Sequence, residues 1–464
     1  MCLSRLNRQR SAMADQTTLQ ETTLDIADKL VERALKAGAD DAEAIVVEGT
    51  SLGVSWRLGN LEDVERSEGK DIGLRVFCGK RQAVVSSTDL SDHVIAPLVE
   101  RAVAMARVAP EDPWCGLADP ARLAHDWPGL DISDEASHPS AEDLGERAAA
   151  AEEAALAVNG VTNSGGAGAS WGRSGIALVT SGGFRGSYSG TSHSVSVSVL
   201  AGEGTAMERD YEFSSARHLS DLDAPAKVGE EAGRRTMRRL HPRKVKSQAV
   251  PVVYAPRVSN SLIGHFANAI NGAAIARGTS FLKSRMGEAV FAPGITVHDD
   301  PHRARGLRSK PFDGEGVANR AMTLIEDGIL QSWLLDSSTA RQLGLETTGH
   351  AARGTSGPPS PSATNLYMAP GTLPPEELIA DIKQGLYLTE LIGMGVNGVT
   401  GDYSRGASGF WIENGEIAYP VSEITVAGNL KDMFRQITPA SDLEFRYGTN
   451  APTLRVEGMT IAGS

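Results

Sequence analysis

The stretch that decides the fold is Gly385–Asn414, GLYLTELIGMGVNGVTGDYSRGASGFWIEN. Nine glycines fall between Gly385 and Gly428, threaded between short apolar runs. Flexible linkers do not carry interleaved Leu, Ile, Val and Trp. The pattern predicts a tightly turned sheet, with backbone packed close to another strand or a ligand. Its end, Phe410–Ile417, sets Asn414-Gly415 between apolar arms, and Leu324–Leu330 does the same with Asp327-Gly328. Both are hairpin signals. A Gly-, Pro- and Ser-rich loop, Gly354–Ala363, lies between them, and Pro374–Gln384 reads as a short helix.

Upstream the pattern changes. Helical spacing runs through Thr22–Gly38, His93–Val108, Ala224–Leu240 and Ser259–Ala274, and Ser140–Asp143 resembles a capping box that opens a helix ending near Val158. Strand patterns occupy Ala42–Glu48, Leu52–Leu58, Asp71–Cys78, Gln82–Ser86, Ile176–Thr180 and His193–Leu200. The predicted fold class is α+β. Residues 21–245 form a mixed α and β-sheet domain, and residues 246–464 a mainly antiparallel, barrel-like one. The boundary falls near residues 240–250, at Arg-Arg-Leu-His-Pro-Arg-Lys. Residues 1–20 read as a disordered or misassigned leader, with translation starting at Met1 or Met13.

Two domains suit 464 residues. A net charge of −13 argues against a nucleic-acid binder, whose footprint is basic. Three scattered cysteines, Cys2, Cys78 and Cys115, make no disulfide framework and fit a reducing compartment. No apolar run reaches the roughly 18 residues of a membrane helix. The basic start has no apolar core after it, so it is no signal peptide. A cytoplasmic protein without nucleic-acid or membrane partners is expected.

The glycine-rich segment, together with Ile295–Leu307 and Phe312–Gly349, resembles the TldD/PmbA family, and within it the PmbA (TldE) branch; the likeness runs from about Leu24 to Gly463. It implies a cytoplasmic metallopeptidase assembled from two related chains. One of them, TldD, carries zinc. In that subunit HExxxH on a helix supplies two histidine ligands and a proton-handling glutamate. Here the corresponding helix reads Ser261-Leu-Ile-Gly-His-Phe-Ala-Asn-Ala-Ile270, ahead of a similar small-residue run, Arg277–Ser280. Ungapped counting from that run puts Ile263 and Asn268 at the histidine positions and Gly264 at the glutamate. The third ligand, a C-terminal cysteine, has no counterpart in Glu444–Gly458. Ile cannot ligate zinc and Gly cannot move a proton. No catalytic residue and no metal ligand is therefore expected in this chain, and zinc is expected in a TldD-like partner.

Other motifs carry less. His265 lacks an accompanying acid and reads as structural. His298-Asp-Asp-Pro-His302 is the nearest thing to a metal cluster, but Pro301 disfavours a shared helical face, and a turn closed by Asp side chains is expected. Asp313-Gly-Glu-Gly316 is too short for an EF-hand. No Gly-x-Ser-x-Gly elbow accompanies the serines near Ser404. Gly393-Met-Gly-Val-Asn-Gly398 mimics a dinucleotide motif, but no helix can follow in Val399–Gly409. The basic run Arg234–Lys246 reads as a solvated helix end.

The segment Gly393–Gly409 has the strongest claim to function. Asp402, Tyr403, Ser404 and Arg405, expected at the loop apex, are the candidates for substrate or partner contact. The leading expectation is a PmbA/TldE-like subunit. It would enclose the active site and guide unfolded or small peptides to the zinc of a homologous partner, in a family associated with processing of peptide antibiotics. The alternative is a homodimeric peptide-binding protein without proteolytic activity.

Overall fold

The computed structural model describes residues 22–463; the leader expected over residues 1–20 lies outside them. Helix α1 (22–36) buries Leu24, Ala27, Leu30, Val31 and Ala34, the stripe its spacing predicts. The strands β1 (Asp41–Arg57), β2 (Asn60–Cys78), β3 (Arg81–Ser87), β4 (Val161–Thr180), β5 (Arg185–Ala201) and β6 (Glu208–Ala216) form one antiparallel sheet ordered β3-β2-β1-β4-β5-β6. Helix α2 (Asp92–Val108) packs with α1 over one end of this sheet. Helices α3 (Ala141–Leu156) and α4 (Pro225–Arg238) cover the other end. Ser140 and Asp143 cap α3 reciprocally, as the sequence indicates.

Several strands run well past their sequence signals. The patterns at Ala42–Glu48 and Leu52–Leu58 belong to a single strand, β1. β4 begins at Val161, inside a Gly/Ala/Ser-rich stretch of poor strand propensity, because β1 and β5 pair with it on both sides. Residues 60–69 of β2 are exposed and form the sheet edge beyond the end of β3.

In the second half β7 (Gln248–Tyr254) leads into α5 (Pro256–Ala269) and α6 (Gly272–Ala276). Short strands β8 (Val297–Asp299), β9 (Met322–Glu326) and β10 (Ile329–Leu330), helix α7 (Ser337–Leu343) and the pair β11 (Ala351–Ala352) and β12 (Ser360–Pro361) follow. Then come β13 (Leu366–Met368), α8 (Pro375–Ile379), β14 (Gln384–Ile392), β15 (Asp402–Glu413), β16 (Glu416–Asn429), α9 (Leu430–Arg435), β17 (Ile437–Pro439), β18 (Thr449–Asn450) and β19 (Leu454–Ala462). Strands β16-β15-β14-β7-β19 pair in that order, and β19 returns to pair with β16, closing a five-stranded barrel. Only the β14–β7 pairing in it is parallel. Asn414-Gly415 turns the β15–β16 hairpin with φ of 52° and 84°, as a two-residue hairpin loop requires. A smaller sheet, β10-β9-β8-β13-β18, stands beside the barrel, and α5 packs between the two.

The halves are joined by charge. Arg239 pairs with Glu390 (2.7 Å), Arg257 with Asp210 (2.8 Å), and Arg353 with Glu43 (2.5 Å). Among the described residues no helix is long and apolar enough to cross a membrane.

Candidate functional site

Helix α5 buries Val258, Ser259, Leu262, Ile263, Phe266 and Ala269 on one face. Ile263, set at a histidine position by counting back from Arg277–Ser280, is fully enclosed in the core beside barrel residues. Gly264 is half-buried, and a Cβ built there meets nothing within 4 Å. Asn268 is exposed near the helix end. The three positions thus face different surroundings and offer no ligand set. Among the described residues no three His, Cys, Asp or Glu side chains are grouped so that they could hold a metal ion.

His265 is the polar group on this helix that meets the glycine-rich segment. Its ring lies edge-on to Tyr403, with centroids 6.0 Å apart at 75°. Its Nε2 is buried without a hydrogen-bond partner. Burial first, and then the Arg405 guanidinium, push its pKa down to about 4, so the imidazole is neutral at physiological pH. Tyr254, from β7, lies close to Tyr403 and donates to Met459 Sδ at 3.4 Å; burial, and then Tyr403, hold its hydroxyl well above the usual range.

The turn itself occupies residues 393–401, and the four candidates begin β15 rather than sitting at the apex. Strand alternation explains their split: Tyr403 points into the core, while Asp402 and Ser404 are exposed and Arg405 is half-exposed. Asp402 accepts from Thr400 Oγ1 (2.6 Å) and Asn429 Nδ2 (3.0 Å), and these bonds hold its carboxyl below the ordinary range. Arg405 Nε donates to the Ile392 carbonyl at 3.4 Å. Ser404 N donates to Gly395 O at 2.7 Å, an approach so close that a Cβ on Gly395 would fall 2.0 Å from Ser404 O. Phe281 N donates to Gly398 O at 3.0 Å, which ties the turn to the end of the Arg277–Ser280 run. The structure therefore brings the α5 positions, that run and the glycine-rich turn into one region.

What the sequence did not single out is the rim of this region. Ile392 is 58 %, Met394 92 % and Val399 56 % exposed. Alternating apolar residues between glycines read as core, and only the turn's projection shows that they face outward. The His298–His302 segment is committed elsewhere: His298 Nδ1 meets Thr323 Oγ1 at 3.1 Å, His302 Nε2 meets Asn319 Oδ1 at 2.7 Å, and Asp300 accepts from His302 N at 2.9 Å.

This geometry presents an apolar-rimmed turn over a neutral histidine. The fold and site define a two-part α+β protein with a closed five-stranded barrel and a glycine-rich turn packed near helix α5. Family models match three consecutive stretches: PmbA/TldA metallopeptidase domain 1 over residues 42–106, the central domain over 134–240 and the C-terminal domain over 247–463. The metalloprotease PmbA of Escherichia coli O157:H7 is 41 % identical over 452 residues, 96 % of this chain and 97 % of its own. The PmbA homologue of Haemophilus influenzae is 38 % identical, covering 94 % of each chain. A Bacteroides thetaiotaomicron protein, crystallised as a candidate modulator of DNA gyrase, superposes with a TM-score of 0.87 at 26 % identity, covering 95 % of this chain and 98 % of its own. TldE of Thermococcus kodakarensis shares the fold, with a TM-score of 0.84 at 22 % identity over 94 % of this chain and all of its own. The chain belongs to the PmbA/TldD metallopeptidase family, in its PmbA (TldE) branch.

Proposed function

We propose that this chain is the non-metal subunit of a cytoplasmic TldD/TldE-type peptidase. It pairs with a homologous zinc-bearing chain, helps enclose that chain's active site, and guides unfolded or small peptides toward it. The observation that supports this reading is the α5 helix: Ile263 is locked into the core, and Gly264 and Asn268 bring no ligating or proton-transferring group. The same region carries the apolar rim of Ile392, Met394 and Val399, which suits contact with a partner chain. The chemistry then belongs to the partner, and this chain contributes architecture and substrate guidance.

Affinity capture from the native cell tests the reading. A stoichiometric homologue bearing HExxxH is the expected co-purifying protein, and the isolated chain is expected to lack chelator-sensitive peptidase activity. Capture of this chain alone, as a dimer, would favour a peptide-binding protein instead. Clear peptidase activity with stoichiometric metal in the isolated chain would overturn the proposal.

A further inference from the structure

A cavity of about 280 Å³ opens at the seam between the halves, bounded by α4, the start of α5, strands β14 and β15, and residues 442–451. Its size lies just below the range of ligand pockets, roughly 300 to 1,000 Å³. Three of its arginines are already paired: Arg257 with Asp210 (2.8 Å), Arg235 with Glu231 (2.7 Å) and Arg446 with Glu212 (3.3 Å). Arg238, the last residue of α4, is different. Its guanidinium lies 4.8 Å over the Phe410 ring, and among the described residues it has no carboxylate partner. On the same wall α5 begins at Ala255-Pro256, an end that no side chain caps. Pro256 has no N–H, and Ala255 N and Val258 N already donate to Leu388 O and Ala255 O (both 2.9 Å), so this helix start contributes mainly its partial positive charge.

The opposite charge is also present. Asp442 is held rigidly, accepting from Thr453 N (2.8 Å) and Thr453 Oγ1 (2.7 Å). Glu444 is exposed and makes no ion pair among the described residues. Tyr387 stands between these groups: burial and then Asp442 push its hydroxyl upward, while Arg238 opposes them, so it stays a neutral donor. Phe410, Tyr387 and Ala451 supply apolar wall.

We propose that this cavity binds a zwitterionic ligand of dipeptide size with an apolar C-terminal side chain. Arg238 receives the carboxylate, favoured by the partial positive charge at the start of α5. Asp442 and Glu444 receive the ammonium group, and Phe410 packs the side chain. A ligand seated there touches both halves of the molecule, so its binding also holds them together. The site needs no partner chain, and its test is independent of the peptidase reading.

The experiment is calorimetric titration of the whole chain with the dipeptide Ala-Leu, its C-terminal amide and its N-acetyl derivative. Ala-Leu is expected to bind saturably, and each capped form to bind at least tenfold more weakly. Arg238→Ala should weaken Ala-Leu binding at least tenfold without lowering the melting temperature, because the side chain is exposed. Arg238→Lys should recover part of the loss. Glu444→Gln, at an exposed position, gives a second variant expected to weaken binding and keep the fold. The proposal is overturned by absence of saturable binding up to millimolar Ala-Leu, by equal affinity for the amide, or by unchanged affinity in both Arg238→Ala and Glu444→Gln.

Discussion

Replacing Glu43 by Leu should cost more stability than any single surface ion pair in this protein. Glu43 is about 1 % exposed and accepts from two guanidiniums, Arg75 at 3.0 Å and Arg353 at 2.5 Å, themselves almost fully enclosed. Burial disfavours the charged carboxylate, but the facing Arg353 and Arg75 outweigh it and hold the pKa below the ordinary glutamate value. The two arginines differ in what remains after substitution. Arg75 keeps Gln82 Oε1 at 2.7 Å and stands over the Phe77 ring. Arg353 keeps nothing, since its Nε and Nη2 are already buried without partners. Removing one member of a buried pair costs about 3–5 kcal/mol, a large share of the ~5–15 kcal/mol that holds a domain together. Urea unfolding followed by tryptophan fluorescence measures the loss. Glu43→Leu/Arg353→Met, which removes the stranded charge, should recover at least ~1 kcal/mol of it. Because the folded pKa is depressed, the wild-type contribution is complete above about pH 4.5 and disappears as pH falls through the folded pKa. A cost below ~1 kcal/mol for Glu43→Leu, or a double variant no more stable than the single one, would refute the reasoning.

Glu315 offers the converse sign. Burial, then Asp313 and Asp336 beside it, push its pKa up to about 8. Its stabilising effect is complete below the unfolded value near 4.5 and fades as pH rises to about 8. Glu315→Gln should therefore stabilise the protein by roughly 2–4 kcal/mol at pH 8 and far less at pH 5; equal effects at both values would contradict this. Gly409→Ala should distort the barrel, since the added Cβ would fall 2.1 Å from Tyr387 O, and a loss of about 3 kcal/mol or more is expected in chemical denaturation. Met394→Asp should leave the melting temperature unchanged, because the side chain is 92 % exposed. On the proposed function it should weaken co-elution with the zinc-bearing partner, and undiminished co-elution would remove the turn from that interface.

Much of the architecture was legible because local and tertiary preferences agree. Asn414-Gly415 and Asp327-Gly328 announced their hairpins, and both adopt the positive φ pairs those turns need. The capping box at Ser140 and the stripe from Leu24 to Ala34 were equally readable. The stretch Val161–Gly175 was not, because its Gly, Ala and Ser become strand only through neighbours more than 100 residues earlier and up to 40 residues later. At the site, residue identity alone shows that Ile263 and Gly264 carry no metal-ligating or proton-transferring side chain. The pairing of His265 with Tyr403 and Arg405 joins residues about 140 apart, and no periodicity encodes it. Tyr403 was singled out for contact, yet the pleat turns it inward, a matter of strand parity that the glycine-rich pattern does not fix.

The closed barrel imposes an order on biosynthesis. Strand β7 ends at Tyr254, but the neighbours it needs, β14 and β19, begin at Gln384 and Leu454. At roughly 5–20 residues per second, a ribosome leaves this apolar strand without its second neighbour for about 10–40 s. The antiparallel sheet of β1–β6 is complete before β7 emerges, so it can fold first while β7 awaits its neighbours. A nascent chain that stalls before β19 would expose the free edges of β7 and β16, a surface suited to chaperone capture or to aggregation.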